Sequence, residues 1–345
     1  MTKLVVEITM EQRNITNQTK SEQVSFQFML GLVIFKCISI VLGVLGNTAV
    51  IIYNVFMNKE KSPTTWLIVN LSVTDLLVCL TIYPIWIVEL LQIVTGVESN
   101  EEFFCKFIYS SGSVSVFLSI LTLLALSFDR YLFITWPLKY PILVVGKRVY
   151  ALVFIIWIWS FSFLPLPLMY IGPGEVPGVC RASNEFILFS FIVYVYTPLT
   201  LIIFFNIKIL KIARRQRRRI AACSITRQTP AHTSTNTAQE SVGGRFVNEQ
   251  HDQNTSWQRI TKELKPLKTF VIIIGVLLGC FIPYSIAVCL EKLGCNCIPL
   301  KVHIIFSEFI AVNSIINPFI YGIRHKKYRN AYGRILRMIC KILNC

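Results

Sequence analysis

The chain has 345 residues, 54% hydrophobic and 15% charged, and its 34 Lys and Arg against 18 Asp and Glu give a formal charge of +16. Soluble domains usually carry about 25% charged residues, and the mean hydropathy here is +0.59. These values argue against a soluble enzyme, a disordered chain or a fibrous repeat. High apolar content with excess base favours a membrane protein with basic cytoplasmic loops over a nucleic-acid-binding protein.

Seven apolar segments are long enough to cross a bilayer, which takes about 20 residues of helix. They predict an all-α membrane protein with spans at 28–57, 64–93, 102–135, 149–171, 186–212, 266–292 and 302–323. Residues 1–27 precede the bundle of residues 28–323, and residues 324–345 follow it.

The positive charges predict the orientation of the chain. The odd-numbered loops and the C-terminal tail hold 25 of the Lys and Arg residues, whereas the N-terminal tail and the even-numbered loops hold 7. Positive loops stay in the cytoplasm, so we expect a multi-pass plasma-membrane protein with an extracellular N-terminus and a cytoplasmic C-terminus. Asn14 and Asn17 begin Asn-x-Thr triplets in the extracellular tail and are candidate glycosylation sites.

Two cytoplasmic segments stand out by composition. Residues 221–258 are rich in Ser, Thr, Gln and Asn, which predicts disorder. Residues 324–345 place apolar side chains on one face of a basic helix, which predicts a helix lying on the membrane. Cys340 and Cys345 are candidates for palmitoylation there.

Short motifs occur in the spans in a fixed order. They are Gly46-Asn47, Asp75, Asp129-Arg130-Tyr131, Trp157, Pro198, Phe281-Ile282-Pro283 and Asn317-Pro318-Phe319-Ile320-Tyr321. Over residues 28–340 the chain therefore resembles rhodopsin-like (class A) G protein-coupled receptors, with loops and motifs nearest to receptors of the biogenic-amine type. The resemblance implies a seven-transmembrane helix bundle with a short amphipathic eighth helix, and no enzymatic activity.

The resemblance also implies the function. Such a receptor binds an extracellular small molecule in the outer half of the bundle and activates heterotrimeric G proteins through outward movement of helix six. Arrestin, a receptor kinase and membrane lipid are the further expected partners, and nucleic acid is not one. A receptor-fold decoy, or a constitutively active orphan without a conventional agonist, is the alternative. A membrane transporter is a remote one, because we find no internal repeat.

Asp75 is a carboxylate in the middle of a span. A charge at that depth costs about 2.5–3.5 kcal/mol on insertion scales, so it should face the bundle and have partners. A polar contact between helices is one interpretation. The resemblance implies a second, a sodium pocket formed with Ser119, Asn313 and Asn317; no other cofactor is expected.

Arg130 lies at the cytoplasmic end of the third span. Its side chain could simply extend to the lipid headgroups. The resemblance implies instead that Asp129 and Glu263, at the foot of the sixth span, hold it in the inactive state. The expected coupling and switch residues are completed by Tyr131, Phe281, Pro283, Asn317, Pro318 and Tyr321.

The resemblance also implies disulfide bonds outside the membrane. Cys105 and Cys180 would tie the second outer loop to the third span. Cys295 and Cys297 resemble the short loop bridge of dopamine and adrenergic receptors, with a free thiol pair as the alternative.

Three residues depart from the family pattern. Phe281 replaces the usual Trp, which predicts altered basal activity, and Asn206 replaces a Tyr that usually meets Arg130. Gly112 stands where amine receptors carry their ligand-binding Asp. Retinal is also excluded, since Ala311 stands where an opsin has its Schiff-base Lys.

The ligand pocket is therefore expected to be aromatic and hydroxylic, which suits a small, moderately polar ligand. Glu89 and Glu308 are either counter-ions for a cation or internal polar contacts. The full candidate set is Trp86, Glu89, Gly112, Val116, Ser190, Tyr194, Tyr284, Ser285, Ser307 and Glu308.

Overall fold

The computed structural model describes residues 26–59, 61–95, 100–173, 180–226, 269–291, 294–295 and 297–343. Within these residues, seven helices are long and apolar enough to cross a membrane. They are α1 (Phe26–Met57), α2 (Pro63–Thr95), α3 (Glu101–Thr135), α4 (Gly146–Tyr170), α5 (from Asn184 to Thr226), α6 (Thr269–Glu291) and α7 (Leu300–Arg324). An eighth helix, α8 (Lys326–Leu343), follows directly. The predicted seven-helix bundle with an additional short helix is confirmed.

The starts of several helices are set by side-chain caps. The Ser62 hydroxyl oxygen accepts a hydrogen bond from the Thr65 backbone N–H, and the Ser62 backbone N–H donates to the Thr65 hydroxyl oxygen. Pro63 occupies the first turn of α2. Asn100 caps α3 and Ser183 caps α5 in the same way. Each cap satisfies a backbone N–H that has no partner inside the helix.

Wide π-helical turns interrupt two helices just before a proline. One covers Val78–Ile82 in α2, ahead of Pro84, and another covers Phe191–Tyr196 in α5, ahead of Pro198. Proline lacks an N–H and clashes with the carbonyl four residues earlier, so a wider turn accommodates it. These turns change which residues of the following segment face the centre of the bundle.

α3 is the central helix. In its most apolar stretch 61% of the residues are buried, compared with 22% in α1, α2 and α4. Trp157 of α4 donates its indole N–H to Asn70 of α2 at 2.9 Å, and Asn70 donates to Thr122 of α3 at 2.8 Å. Hydrogen bonds of this kind connect α2, α3 and α4 inside the membrane, where lipid offers these polar side chains no alternative partner.

A two-stranded hairpin closes one end of the bundle. Strands β1 (Ile171–Pro173) and β2 (Cys180–Ala182) pair antiparallel, and a Cys180–Cys105 disulfide bonds the hairpin to the first turns of α3. We call this the disulfide end, and the opposite end, where α3 finishes, the Arg130 end. Cys295 and Cys297 also form a disulfide.

The fifth helix extends beyond the span predicted at residues 186–212. It continues to Thr226, so the segment predicted to be disordered from residue 221 is helical over its first residues. A continuous run of basic and small residues favours this extension, because neither proline nor glycine interrupts it before Thr226. Asn14, Asn17, Glu263, Cys345 and the remainder of the 221–258 segment lie outside the described residues.

Candidate ligand and signalling sites

A cavity of about 240 Å³ opens in the half of the bundle nearest the disulfide end. Residues of all seven spanning helices, α1 to α7, line it. Seven of the ten candidate ligand residues are among them: Trp86, Gly112, Val116, Ser190, Tyr284, Ser307 and Glu308. The lining is largely aromatic and aliphatic with several hydroxyls, which is the character expected of a small-molecule site.

The other three candidates do not line the cavity. Tyr194 faces a neighbouring aromatic cluster, where its ring stacks on Phe117 at 4.7 Å and meets Phe163 edge-on at 5.0 Å. Ser285 and Glu89 are buried at 8% and 4% exposure, both away from the cavity. Tyr194 lies within the π-helical turn of α5. The wider turn directs its ring into the helix interface, an orientation that the spacing of residues in the sequence does not reveal.

Lys36 of α1 is a wall residue that sequence reasoning missed. Its ammonium lies 2.5 Å from Oε1 of Glu308 on α7, and the two side chains are 2% and 8% exposed. The ammonium also lies 4.2 Å from the centroid of the Trp86 ring, a cation–π contact. Placing a lysine in the middle of an apolar span costs about as much free energy as placing an aspartate there. The position of Lys36 in the sequence therefore already indicated that its side chain should face the bundle and pair with an acid.

The floor of the cavity meets a buried polar cluster around Asp75. Asn317 donates to Oδ2 of Asp75 at 2.9 Å, and Ser119 donates to Oδ1 at a longer 3.4 Å. Asn313 is 3% exposed, and its Oδ1 has no hydrogen-bond partner among the described residues. Of the four residues predicted to form a sodium pocket, Ser119 and Asn313 also line the cavity, and Asp75 is bonded to Ser119 and Asn317.

Asn47 connects α1 to this region. Its amide donates to the Gly43 carbonyl at 3.0 Å and to the Ser314 carbonyl of α7 at 2.9 Å. Because Ser314 neighbours Asn313, the amide of Asn47 holds the backbone of α7 beside the polar cluster.

At the Arg130 end, a network of hydrogen bonds surrounds Asp129. Its Oδ2 accepts from the Arg130 guanidinium at 2.7 Å and from the Thr64 hydroxyl of α2 at 2.8 Å. Arg130 also contacts Thr64 directly. Tyr140, in the short helical turn Tyr140–Leu143, donates to Oδ1 at 2.6 Å. Burial and the neighbouring Asp129 carboxylate raise the pKa of Tyr140 above its usual range, so its hydroxyl remains a donor.

The other predicted switch residues are distributed along the bundle. Phe281 is 4% exposed and lines the cavity, while Pro283, two residues later, is half-buried. Tyr321 is buried against the Tyr328 ring of α8 at 5.3 Å. Tyr131 packs against Phe205 of α5 at 5.3 Å.

Asn206, which replaces the family's usual Tyr, makes a contact that the sequence did not predict. Its amide donates to the Ser127 hydroxyl of α3 at 3.2 Å and to the Ile202 carbonyl at 2.8 Å. Asn206 therefore joins α5 to α3 one turn before Arg130.

Comparisons with known proteins decide the family. The family model described as 7 transmembrane receptor (rhodopsin family) matches residues 46–321. The chain belongs to the rhodopsin family of seven-transmembrane receptors. It is 27% identical over 339 residues to the Alpha-1A adrenergic receptor of Bos taurus, covering 95% of this chain and 72% of the relative. It is also 27% identical over 321 residues to 5-hydroxytryptamine receptor 7 of Xenopus laevis, covering 87% of this chain and 74% of that protein.

The family assigns the general activity. The protein is a G protein-coupled receptor, a multi-pass protein of the plasma membrane, and not an enzyme. The resemblance to receptors of the biogenic-amine type is confirmed by the adrenergic and 5-hydroxytryptamine relatives. Gly112, which departs from the amine-receptor pattern, nevertheless lines the cavity of this receptor.

Proposed function

We propose that this receptor binds a small extracellular molecule in the cavity at the disulfide end and activates a heterotrimeric G protein at the Arg130 end. The N-terminus is then extracellular and the C-terminus cytoplasmic. Arrestin and a receptor kinase would recognise the same cytoplasmic face once the receptor is active. The amphipathic α8 would lie on the inner membrane surface, where an exposed Cys340 is accessible to a palmitoyl chain.

One observation carries this proposal. The cavity wall includes Trp86 and Ser190 at its sides, Phe281 at its floor, and Ser119 and Asn313 of the polar cluster. A molecule in the cavity therefore touches both the α6 residue expected to act as a switch and the residues that surround Asp75. Any difference in its affinity for two arrangements of these residues shifts the population between them.

Outward movement of α6 would complete the transmission. Arg130 lies with its guanidinium carbon 5.5 Å from the ring centroid of Phe270 on α6, so α6 covers the arginine on one side. Moving α6 away would remove that cover and open the α3–α6 face to a partner. Glu263 is proposed to hold α6 in place through Arg130 before activation.

Sodium is proposed as an inhibitory ligand of the polar cluster. Asp75, Ser119, Asn313 and Asn317 all offer oxygen atoms, the ligands that a hard cation prefers. The buried Oδ1 of Asn313 lacks a partner among the described residues, and a cation would supply one. Sodium there would stabilise the inactive packing of α2, α3 and α7.

The test is a ligand screen in cells that report several G protein classes, run on the wild type and on Arg130→Ala. We expect an agonist to stimulate nucleotide exchange in the wild type and the variant to lose that response entirely while its surface expression persists. Arg148→Ala is the matched control, because the Arg148 guanidinium bonds only the nearby carbonyls of Ile142 and Leu143 among the described residues.

Three results would contradict the proposal. Full signalling by Arg130→Ala would remove the arginine from the coupling mechanism. Ligand binding without exchange on any G protein in the wild type would favour the decoy, whereas high exchange without added ligand that Arg130→Ala abolishes would favour a constitutively active orphan.

A further inference from the structure

The charges in the cavity wall cancel each other. Among the described lining residues, only Lys36 and Glu308 carry a charge, and they bond each other at 2.5 Å. Their pair has no net charge, whichever atom holds the shared proton. The wall at Gly112, where the chain has no acid, adds open space, since no atom lies within 4 Å of the position a Cβ would take.

The pair leaves one acceptor free. Oε2 of Glu308 is buried and has no hydrogen-bond partner within the described part of the chain, and Glu308 is 6% exposed. A buried acceptor without a donor is destabilising, so a ligand that donates a hydrogen bond there would be favoured. The other side of the Lys36 ammonium is covered by the Trp86 ring at 4.2 Å and the Tyr83 ring at 5.2 Å.

A cationic ligand gains little from this acceptor. An ammonium about 3 Å from Oε2 would lie about 5 Å from the Lys36 ammonium, and the repulsion would cancel roughly three fifths of the attraction. The attraction that remains must compensate for the free energy that a charged group loses when it leaves water and is buried. A hydroxyl or amide N–H makes the same hydrogen bond and brings no second positive charge to the site.

We propose, on the basis of the function proposed above, that Lys36 and Glu308 determine ligand charge. The pair selects a net-neutral ligand that carries a hydrogen-bond donor, and it rejects monocationic amines. Lys36 thus acts as a cation built into the receptor, in the place that an amine ligand would otherwise fill beside Glu308.

The experiment measures equilibrium binding of three matched probes to purified full-length receptor in lipid nanodiscs. Tryptamine is the cation, tryptophol the neutral donor and indole-3-acetate the anion, all on one indole ring. We expect the wild type to bind tryptophol most tightly. Lys36→Gln should raise tryptamine affinity at least about tenfold with little effect on tryptophol, because Glu308 is no longer neutralised. Glu308→Gln should raise indole-3-acetate affinity instead.

Two further variants keep the test decisive. Lys36→Gln with Glu308→Gln restores neutrality and should return the preference to tryptophol. Gly112→Asp keeps the native pair and adds a lone acid in open space, so it should gain tryptamine binding even if the single charge-removing variants do not fold.

Several outcomes would overturn the proposal. The first two are a wild type that binds tryptamine more tightly than tryptophol, and a folded Lys36→Gln variant whose tryptamine affinity does not rise. The other two are equal tryptamine affinity in Gly112→Asp and the wild type, and failure of every folded variant to bind any probe. Binding to purified receptor does not depend on G protein coupling, so failure here and failure of the exchange assay remain distinguishable.

Discussion

At the scale of single residues, Asp75 shows how a costly charge is organised. It is fully buried, and its two carboxylate oxygens accept hydrogen bonds from α3 and α7 through Ser119 and Asn317. The Ser119 bond is long at 3.4 Å, and Ser314 of α7 is a further hydrogen-bond partner of the carboxyl group. A carboxylate surrounded by hydroxyl and amide groups, with the unpartnered amide oxygen of Asn313 in the same region, is an arrangement that suits a cation.

Asp75→Asn tests the sodium proposal. We expect this variant to lose the inhibition of agonist binding by sodium, because the amide removes the negative charge while keeping the shape. The measurement is agonist affinity in matched sodium and N-methylglucamine buffers, with Ser110→Ala as a control on α3 outside the cluster. Sodium sensitivity that persists in Asp75→Asn would show that the cation binds elsewhere.

Lys36 and Glu308 show the limit of residue-level reasoning from sequence. Glu308 was expected either to face a ligand cation or to make an internal polar contact, and the structure pairs it internally with Lys36. The two residues are 272 positions apart. Their pairing depends on how α1 and α7 pack, and no local pattern in the sequence encodes that distance.

At the scale of helices, α1 and α7 approach closely because α1 carries small residues on the contacting face. A Cβ at Gly46 would lie 2.9 Å from the Cβ of Pro318, and one at Gly43 would lie 2.3 Å from the Sγ of Cys79 on α2. Small residues allow such close packing between helices in membranes. The same contact holds the Asn47 amide within reach of the α7 backbone.

Gly46→Ala should therefore lower the thermal stability of the receptor. The rigid Pro318 ring cannot rotate away from the added methyl group, and overpacking of this kind costs about 1–3 kcal/mol. Gly31→Ala in the same helix is the matched control, because nothing lies within 4 Å of its Cβ position. Thermal unfolding of both variants in detergent would show the effect, and equal melting temperatures would contradict the packing argument.

Helix α8 is fixed to the bundle by two tyrosines. Tyr328 donates to Asn54 of α1 at 3.0 Å, and Tyr332 donates to the Pro318 carbonyl of α7 at 3.1 Å. Burial of Tyr328 raises its pKa above the usual range, so the hydroxyl stays protonated and continues to donate.

At the scale of the whole molecule, seven crossings place the chain ends on opposite sides of the membrane. The excess of Lys and Arg in the odd-numbered loops and the C-terminal tail predicts which side is which. The Cys105–Cys180 disulfide lies at the opposite end from Arg130, which agrees with an oxidising exterior there.

Epitope tags at the two termini test this orientation. We expect antibody to label the N-terminal tag on intact cells and the C-terminal tag only after permeabilisation, because an odd number of spans separates them. A cytosolic marker antibody controls for membrane integrity. Labelling of both tags in the same compartment would contradict the seven-span topology and, with it, transmission across the bundle.

The sequence by itself determined the elements and the family. Bilayer thickness fixes the length of an apolar span, so the helix bounds agree with prediction to within a few residues, except at the end of α5. Motifs such as Asp129-Arg130-Tyr131 are local strings, and they indicated the rhodopsin-like class that the family model shows.

Tertiary structure alone decided which side chains meet. Packing placed Lys36 in the wall of the cavity, turned Tyr194 into an aromatic cluster instead, and joined Asn206 to Ser127. The physical reason is that burial in lipid depends only on local apolarity, whereas partners across the bundle depend on helix rotation. Wide turns beside prolines and close glycine contacts between helices set that rotation, and the glycine contacts join residues far apart in the chain.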